Sequence, residues 1–273
     1  MRYRVLTLNV QNDVGDPRRF RLINEELRRL SPDLVALQEV CYPAGSNDQL
    51  AELLEGTGLT HRTHQRDVLP DLPELFRHDG TAIATRHPHR VAEVLEHRGT
   101  GVRGDPHWWT LAVTVDLGPV GEVLAITPTT PWQLDHEYAR ERQALDIAAL
   151  DARHRTALPT VLAGDFNATP DSASIRFLSG HQSLDGTSVH FHDAWTTRGE
   201  GPGHTWTTAN PLAREEIATL IGQSPHHRRL DYIFVGSRHA HPDTQATIDT
   251  VDLVGVNPPL SDHYGLVADL TLL

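Results

Sequence analysis

Apolar residues in this chain come mostly as short runs that stop at a polar side chain. Pro159-Thr160-Val161-Leu162-Ala163-Gly164-Asp165-Phe166-Asn167 is the plainest case: Thr160 to Ala163 read as a buried strand that ends at Asp165 and Asn167. Gly164 is taken as the point where the backbone turns and releases those two side chains. Tyr3, Val5, Leu6, Leu8 and Val10 predict a first strand carrying Asn9 near its end. Asp16-Pro17 suits an N-cap and first helical residue, and Phe20, Ile23, Leu27 and Leu30 then repeat at helical spacing. Ser31-Pro32-Asp33 stops that helix, and Leu34 to Leu37 form a second buried strand ending at Gln38-Glu39.

The same alternation continues along the chain. A short helix is predicted over Asn47 to Glu55, a surface loop over His61 to Gly80, and strands over Thr81 to Thr85 and Val91 to Leu95. Gly99 to Pro106 reads as a flexible connection into His107-Trp108-Trp109. Trp109, Leu111, Val113, Val115 and Leu117 keep a strict period of two, which places Trp109 inward, and Gly118 to Gly121 turns this strand into Glu122 to Thr127 as a hairpin. Asp135 to His154 is the longest helix candidate, with Tyr138, Leu145, Ala148 and Ala149 as its packed side. Another helix begins near Ser172. Gly180 to Arg229 is weakly patterned except for a helix at Arg214 to Ile221, and strands follow at Leu230 to Val235 and Tyr264 to Leu270. Without a linker, a low-complexity tract or a repeat, residues 1–273 are read as one domain.

Composition narrows the classes. Acidic residues outnumber basic ones 36 to 24 for a formal charge of −12, and every basic residue is Arg. That balance disfavours sequence-blind attraction to nucleic acid, which depends on neutralising phosphates. The single Cys41 excludes an intramolecular disulfide framework and reads as a small buried hydrophobe. No signal-peptide pattern or membrane-length apolar run is present, so a cytoplasmic location is expected. The 18 His residues lack a compact zinc-ligand spacing.

Asn9, Glu39, Asp165, Asn167, Asp231, Asp262 and His263 each fall at or near an edge of a predicted strand. If these strands share sheets, their ends converge on one cleft. The Glu39 carboxylate with the Asn9 amide oxygen makes a hard-oxygen site, suited to Mg²⁺ or Mn²⁺ and poor for zinc. Asp165 can orient and deprotonate a water, Asn167 can donate to a phosphoryl oxygen, and His263, held by Asp231 or Asp262, can carry positive charge. These are the components of metal-assisted phosphoester hydrolysis.

The ordered set Leu6-Thr7-Leu8-Asn9, Leu37-Gln38-Glu39, Gly164-Asp165-Phe166-Asn167, Arg229-Leu230-Asp231-Tyr232 and Leu260-Ser261-Asp262-His263 resembles the endonuclease/exonuclease/phosphatase superfamily. Thr81 to Pro88 and Thr205-Trp206 are weaker markers, and the resemblance runs from Leu6 to Leu270. It implies an α/β (α+β) fold: a four-layer α/β/β/α sandwich with two mixed, mostly antiparallel sheets flanked by helices. It further implies Glu39 as principal metal ligand with Asn9 nearby, Asp165 orienting or activating water, and Asn167 on the phosphate. His263, paired with Asp231, would bind the scissile phosphate, and Asp262 would support the metal or His263.

One position departs from the pattern. Many members carry His or Tyr after the hairpin strand, where this chain has Pro128, which offers no side-chain donor. Either His136 or a Thr hydroxyl substitutes, or the substrate sits differently, or activity is reduced. His226-His227-Arg228-Arg229 precedes the Asp231 strand, and Arg229 joins His136 as a candidate substrate contact. The resulting expectation is a divalent-metal-dependent phosphoester hydrolase acting on a small or lipid-linked ester. The alternatives are a nuclease, which would need a basic or aromatic groove for which only Arg228, Arg229 and Arg103 offer charge, and a non-catalytic binding protein retaining the fold.

Overall fold

The apolar runs resolve into fourteen strands and seven α-helices among the residues described in the computed structural model, 1–43, 48–69, 80–97 and 108–273. The chain opens with β1 (Arg2–Asn9), α1 (Arg18–Leu30), β2 (Leu34–Val40), α2 (Gln49–Leu54), β3 (His61–His64) and α3 (Gln65–Val68). It continues through β4 (Gly80–Thr85), β5 (His89–His97), β6 (Trp108–Asp116), β7 (Glu122–Pro128), α4 (Glu137–His154), β8 (Val161–Asp165) and α5 (Ala173–Leu178). The last part supplies β9 (Phe191–Asp193), α6 (Ala194–Arg198), β10 (Trp206–Thr207), α7 (Arg214–Ile221), β11 (His227–Arg228), β12 (Asp231–Gly236), β13 (Ala246–Val254) and β14 (Gly265–Leu272).

Two six-stranded sheets run in the orders β13-β14-β1-β2-β4-β3 and β5-β6-β7-β8-β12-β9. Only β1 with β2 and β7 with β8 are parallel; every other pair within these sheets is antiparallel. Strands this apolar must be covered on both faces. Val5, Ala36, Ile83 and Leu266 of the first sheet meet Val113, Ala125, Val161 and Ile233 of the second in the central core. The outer face of the first sheet, with Leu6, Val35 and Leu37, is covered by Ile23 and Leu27 of α1 and by α2. The outer face of the second, with Leu124, Leu162 and Phe234, is covered by Ile147 of α4 and by α5. The result is the four-layer α/β/β/α sandwich expected. No helix among the described residues is long and apolar enough to cross a membrane.

Several local expectations change. His61 to Val68 is β3 and α3 rather than loop; β3 is a four-residue edge strand of polar side chains, so it shows no apolar alternation. Residues 70–79 lie outside the described residues, as do Asn47, Gly99 to Pro106, His107 and Arg103. β13 escapes the period-two reading because its pairing with β14 shifts register between Ile248 and Thr250, which spaces its buried Ile248 and Val251 by three. On α4 the buried side is Ala139, Ala144, Ile147 and Ala148, whereas Tyr138 and Ala149 face solvent. Gly164 does not turn the chain. It is paired within β8, and a Cβ there would stand 2.5 Å from the Pro128 carbonyl oxygen, so glycine is required for close approach of β7.

Candidate active site

Strand direction delivers the polar side chains to one end of the sandwich. β1, β2 and β8 finish there with Asn9, Glu39 and Asp165, while β12 starts there with Asp231, directly paired with Asp165. His263 stands two residues before β14, whose Leu266 pairs with Thr7 of β1. Ligand sites at strand ends follow from this convergence.

Glu39 reaches the cleft through a β-bulge. Between Leu37 and Val40 the β2–β4 register gains one residue on β2, and Glu39 adopts φ +55°. Gln11, Asn12 and Asn167, at the strand ends around the cleft, also have positive φ. Such backbone is held only where surrounding bonds over-determine it. Two buried arginines brace the loops at this end of the sheets. Arg19 donates to the carbonyls of Val10, Gln11, Asn12 and Val14, clamping the loop after β1. Arg140 donates to Pro131 and Gln133, each at 2.8 Å, and pairs with Glu137, clamping the loop after β7.

At the centre, Asn9 Nδ2 bridges two carboxylates, donating to Glu39 Oε1 at 2.9 Å and Asp165 Oδ2 at 3.1 Å. Its Oδ1 accepts from the Gln11 amide at 2.9 Å, which settles the amide's orientation and leaves one lone pair. Asp165 Oδ1 accepts from the Asn167 amide at 2.9 Å, and Asn167 Nδ2 bonds the Thr130 carbonyl at 3.0 Å and Asp165 Oδ2 at 3.2 Å. His263 Nδ1 lies 2.8 Å from Asp231 Oδ2, while Asp231 Oδ1 is buried without a partner. Asp262 takes the Ser261 hydroxyl at 2.9 Å.

Burial sets the proton affinities. It pushes the Glu39 carboxyl up to about 8, with the Asp262 charge adding and the Asn9 bond opposing. Asp165 is likewise pushed up to about 6 by burial, against the nearby His263 charge. Burial alone would lower His263, but the charges of Asp231 and Asp165 override it and hold the imidazole well above its ordinary value. Asp165, Asp231 and His263 place ligand atoms within 4.8 Å of one another, a spacing that suits an ion. A protonated imidazole is no ligand, however, and the oxygen donors Glu39 and Asp262 with the remaining Asn9 lone pair fit a hard divalent cation better.

The cleft encloses about 280 Å³. Its acidic floor faces a wall formed by Trp108, Trp132, Leu134, Trp206 and Leu220, and among the described residues Arg228 is the one Arg on its lining. Arg229 turns the other way: its guanidinium is buried at 2.8 Å from Asp193 and over the Tyr232 ring. Adjacent residues of an extended segment point to opposite sides, which is why Arg228 and not Arg229 reaches the cleft. His136 does not line it either, and sits before α4 at 3.7 Å from Asp135. Pro128 packs against Gly164, and the next residue, Thr129, takes the place on the cleft wall.

Sequence reasoning missed the clamps and the fastener Asn210, and had Thr205 only as a family marker. Thr205 Oγ1 accepts from the amides of Leu230 and Asp231 while its carbonyl accepts from Tyr264, tying the Asp231 and His263 segments together. Asn210 Nδ2 holds the carbonyls of Ser261 and Asp262, each at 2.9 Å. The signal for the clamps was present: Arg19 precedes Ile23 and Leu27 at four-residue steps, and Arg140 precedes Ala144 and Ala148 likewise, so each lies on a buried stripe.

The family model described as "Endonuclease/Exonuclease/phosphatase family" matches residues 6–263. The chain belongs to that family. Mouse (Mus musculus) 2′,5′-phosphodiesterase 12 is 23% identical over 295 residues, covering 92% of this chain and 45% of the relative. The chain thus spans less than half the length of that curated relative. An endonuclease/exonuclease/phosphatase from Beutenbergia cavernae DSM 12333 superposes with TM-score 0.70 at 24% identity, covering 99% of this chain and 72% of that one. D. rerio TDP2 complexed with single-strand DNA product gives TM-score 0.70 at 19% identity, covering 99% of both chains. These likenesses establish the fold shared with the family member structures.

Proposed function

We propose that the chain is a phosphodiesterase dependent on Mg²⁺ or Mn²⁺, acting on a small or lipid-linked diester in preference to polymeric nucleic acid. The observation that carries this reading is a buried Asp165–Asp231–His263 group opening onto a cavity of about 280 Å³ with one apolar wall and, among the described residues, one lining Arg. A pocket of that size suits one phosphate and one substituent. Arg228 and the His263 imidazolium, two cations facing an acidic floor, offer little to a long phosphate chain.

Glu39 and Asp262 would hold the cation, with Asn9 positioning Glu39, and the chemistry it would supply is Lewis-acid polarisation of a phosphoryl oxygen. Asp165, fixed by Asn9 and Asn167, accepts a proton from the attacking water as its oxygen bonds to phosphorus and the P–O ester bond breaks, the departing alkoxide taking a proton from solvent; a carboxyl pushed up to about 6 is a stronger base than an ordinary one. His263, kept protonated by Asp231, donates to a non-bridging oxygen where charge develops. Asn167 exchanges its 3.2 Å bond to Asp165 for a second phosphoryl oxygen.

A second reading, hydrolysis of short single strands, is favoured by Trp132 and Trp206 on the wall, since bases stack on aromatic rings. One panel decides between them. Wild type and His263→Ala are offered an aryl phosphomonoester, an aryl phosphodiester, a choline phospholipid, a single-stranded oligonucleotide and plasmid, with Mg²⁺, Mn²⁺ or EDTA. The expected result is chelator-sensitive diester hydrolysis that falls about 10²–10⁴-fold in the variant. Dominant cleavage of oligonucleotide or plasmid would overturn the small-substrate preference. Turnover that survives EDTA would overturn the metal-dependent mechanism.

A further inference from the structure

Loss of a donor at Pro128 raises the question of what holds the substrate phosphate on that side. Arg228 is half-buried on the cleft lining and has no carboxylate within 4 Å among the described residues. Its neighbour Arg229 is fully paired with Asp193. Among the described residues the Nη2 of Arg228 reaches only the Asn167 carbonyl, at 3.4 Å, a weak bond for a guanidinium. β10 and β11 form a two-stranded ribbon in which Arg228 pairs with Trp206, so the cation is presented beside the aromatic wall. Thr129 lies on the same lining, bridged to Asp165, and its Oγ1 is buried without a partner. A buried hydroxyl lacking a partner is costly and marks a place where another group bonds.

We propose that Arg228 and the Thr129 hydroxyl replace the missing donor and grip a non-bridging oxygen of the substrate phosphate. Arg228 supplies charge and a planar fork, and Thr129 supplies a short, fixed donor from the end of β7. The oxygen so held faces Asn167, which already contacts both residues' neighbourhood through its carbonyl to Arg228 and its Nδ2 to Thr130. The inference deepens the proposed phosphodiesterase reading and rests on it. It also makes specificity local: the ribbon that carries Arg228 carries Trp206, so phosphate and apolar substituent are read by one element.

The test uses the full chain with Mg²⁺, the diester most readily cleaved by wild type, and inorganic phosphate as a competing ligand. Arg228→Met, Arg228→Lys, Thr129→Val and Thr129→Ser are compared with wild type, His263→Ala and the surface control Arg142→Met. Phosphate affinity, read by calorimetry as well as by inhibition, is expected to fall about 10- to 100-fold in Arg228→Met and about 2- to 10-fold in Thr129→Val. KM is expected to rise in step while Tm stays within about 2 °C, since neither side chain closes an ion pair. Thr129→Ser keeps the hydroxyl and is expected to match wild type; Arg228→Lys keeps charge without the fork and should fall between Met and wild type. Unchanged phosphate affinity in both Arg228→Met and Thr129→Val, with His263→Ala inactive, would overturn the inference while leaving the phosphodiesterase reading intact. Absence of diester turnover in wild type would instead remove the reading on which it rests.

Discussion

Replacing Glu39 by Gln tests the cation site through stability rather than turnover. Glu39 sits on the β2 bulge, and burial followed by the Asp262 charge pushes its carboxyl up to about 8 from an ordinary 4.5. An acid raised on folding keeps a proton that the unfolded chain has released. Between about pH 4.5 and 8 the folded protein therefore binds more protons than the unfolded one, and its stability falls as pH rises. At roughly 1.4 kcal/mol per tenfold change in proton affinity, the ionised, metal-free site is strained by a few kcal/mol. Gln keeps the acceptor for Asn9 Nδ2, now 2.9 Å away, and removes the charge.

Metal-free Glu39→Gln is therefore expected to melt above wild type at pH 8, by about 2–8 °C, with the gap shrinking near pH 5. Mg²⁺ or Mn²⁺ at about 100 times its Kd should add about 2.7 kcal/mol to wild type and almost nothing to the variant. Scanning fluorimetry at both pH values, in EDTA and in metal, reads all four conditions. If the variant melts below wild type in EDTA at pH 8 and keeps a full metal increment, Glu39 is a structural carboxylate and the cation lies elsewhere.

Two further outcomes follow from other contacts. Gly164→Ala places a Cβ 2.5 Å from the Pro128 carbonyl and 2.9 Å from its Cδ, so β7 and β8 must part; a loss of about 1–3 kcal/mol in urea denaturation is expected, and an unchanged midpoint would show that the close approach is not required. Asp231→Asn preserves an acceptor at 2.8 Å for His263 Nδ1 but removes the charge that keeps the ring protonated. Wild-type diester hydrolysis should hold its His263-dependent activity through neutral pH, whereas the variant should decline as pH rises from about 6 to 8. Matching pH profiles for the two proteins would contradict the imidazolium role.

Apolar runs located β1, β2 and β8, a period of two located β6 with its hairpin partner β7, and helical spacing located α1, because burial writes itself into residue type. The seven strand-end residues were legible for the same reason: a polar side chain breaking an apolar run marks the edge of a sheet. Where burial is interrupted the pattern fails. β13 was invisible because a bulge shifts its phase, and β3, β10 and β11 are too short or too polar to show one. Arg229 was chosen over Arg228 because sequence alone does not say which of two adjacent side chains faces a cleft.

By itself the sequence determined which side chains end the strands, and hence that oxygen donors, an amide and a histidine would gather without a basic track. Tertiary structure decided what those groups do to one another. Pairing Asp231 directly with Asp165 and closing β14 beside β1 puts His263 between two carboxylates, and only that proximity makes it a cation. The bulge that swings Glu39 into the cleft, the Arg19 and Arg140 clamps, and the turn of Arg228 toward Asn167 depend on contacts between segments far apart in the chain. Proton affinity and substrate access are properties of distance and burial, and neither exists until the two sheets have packed together.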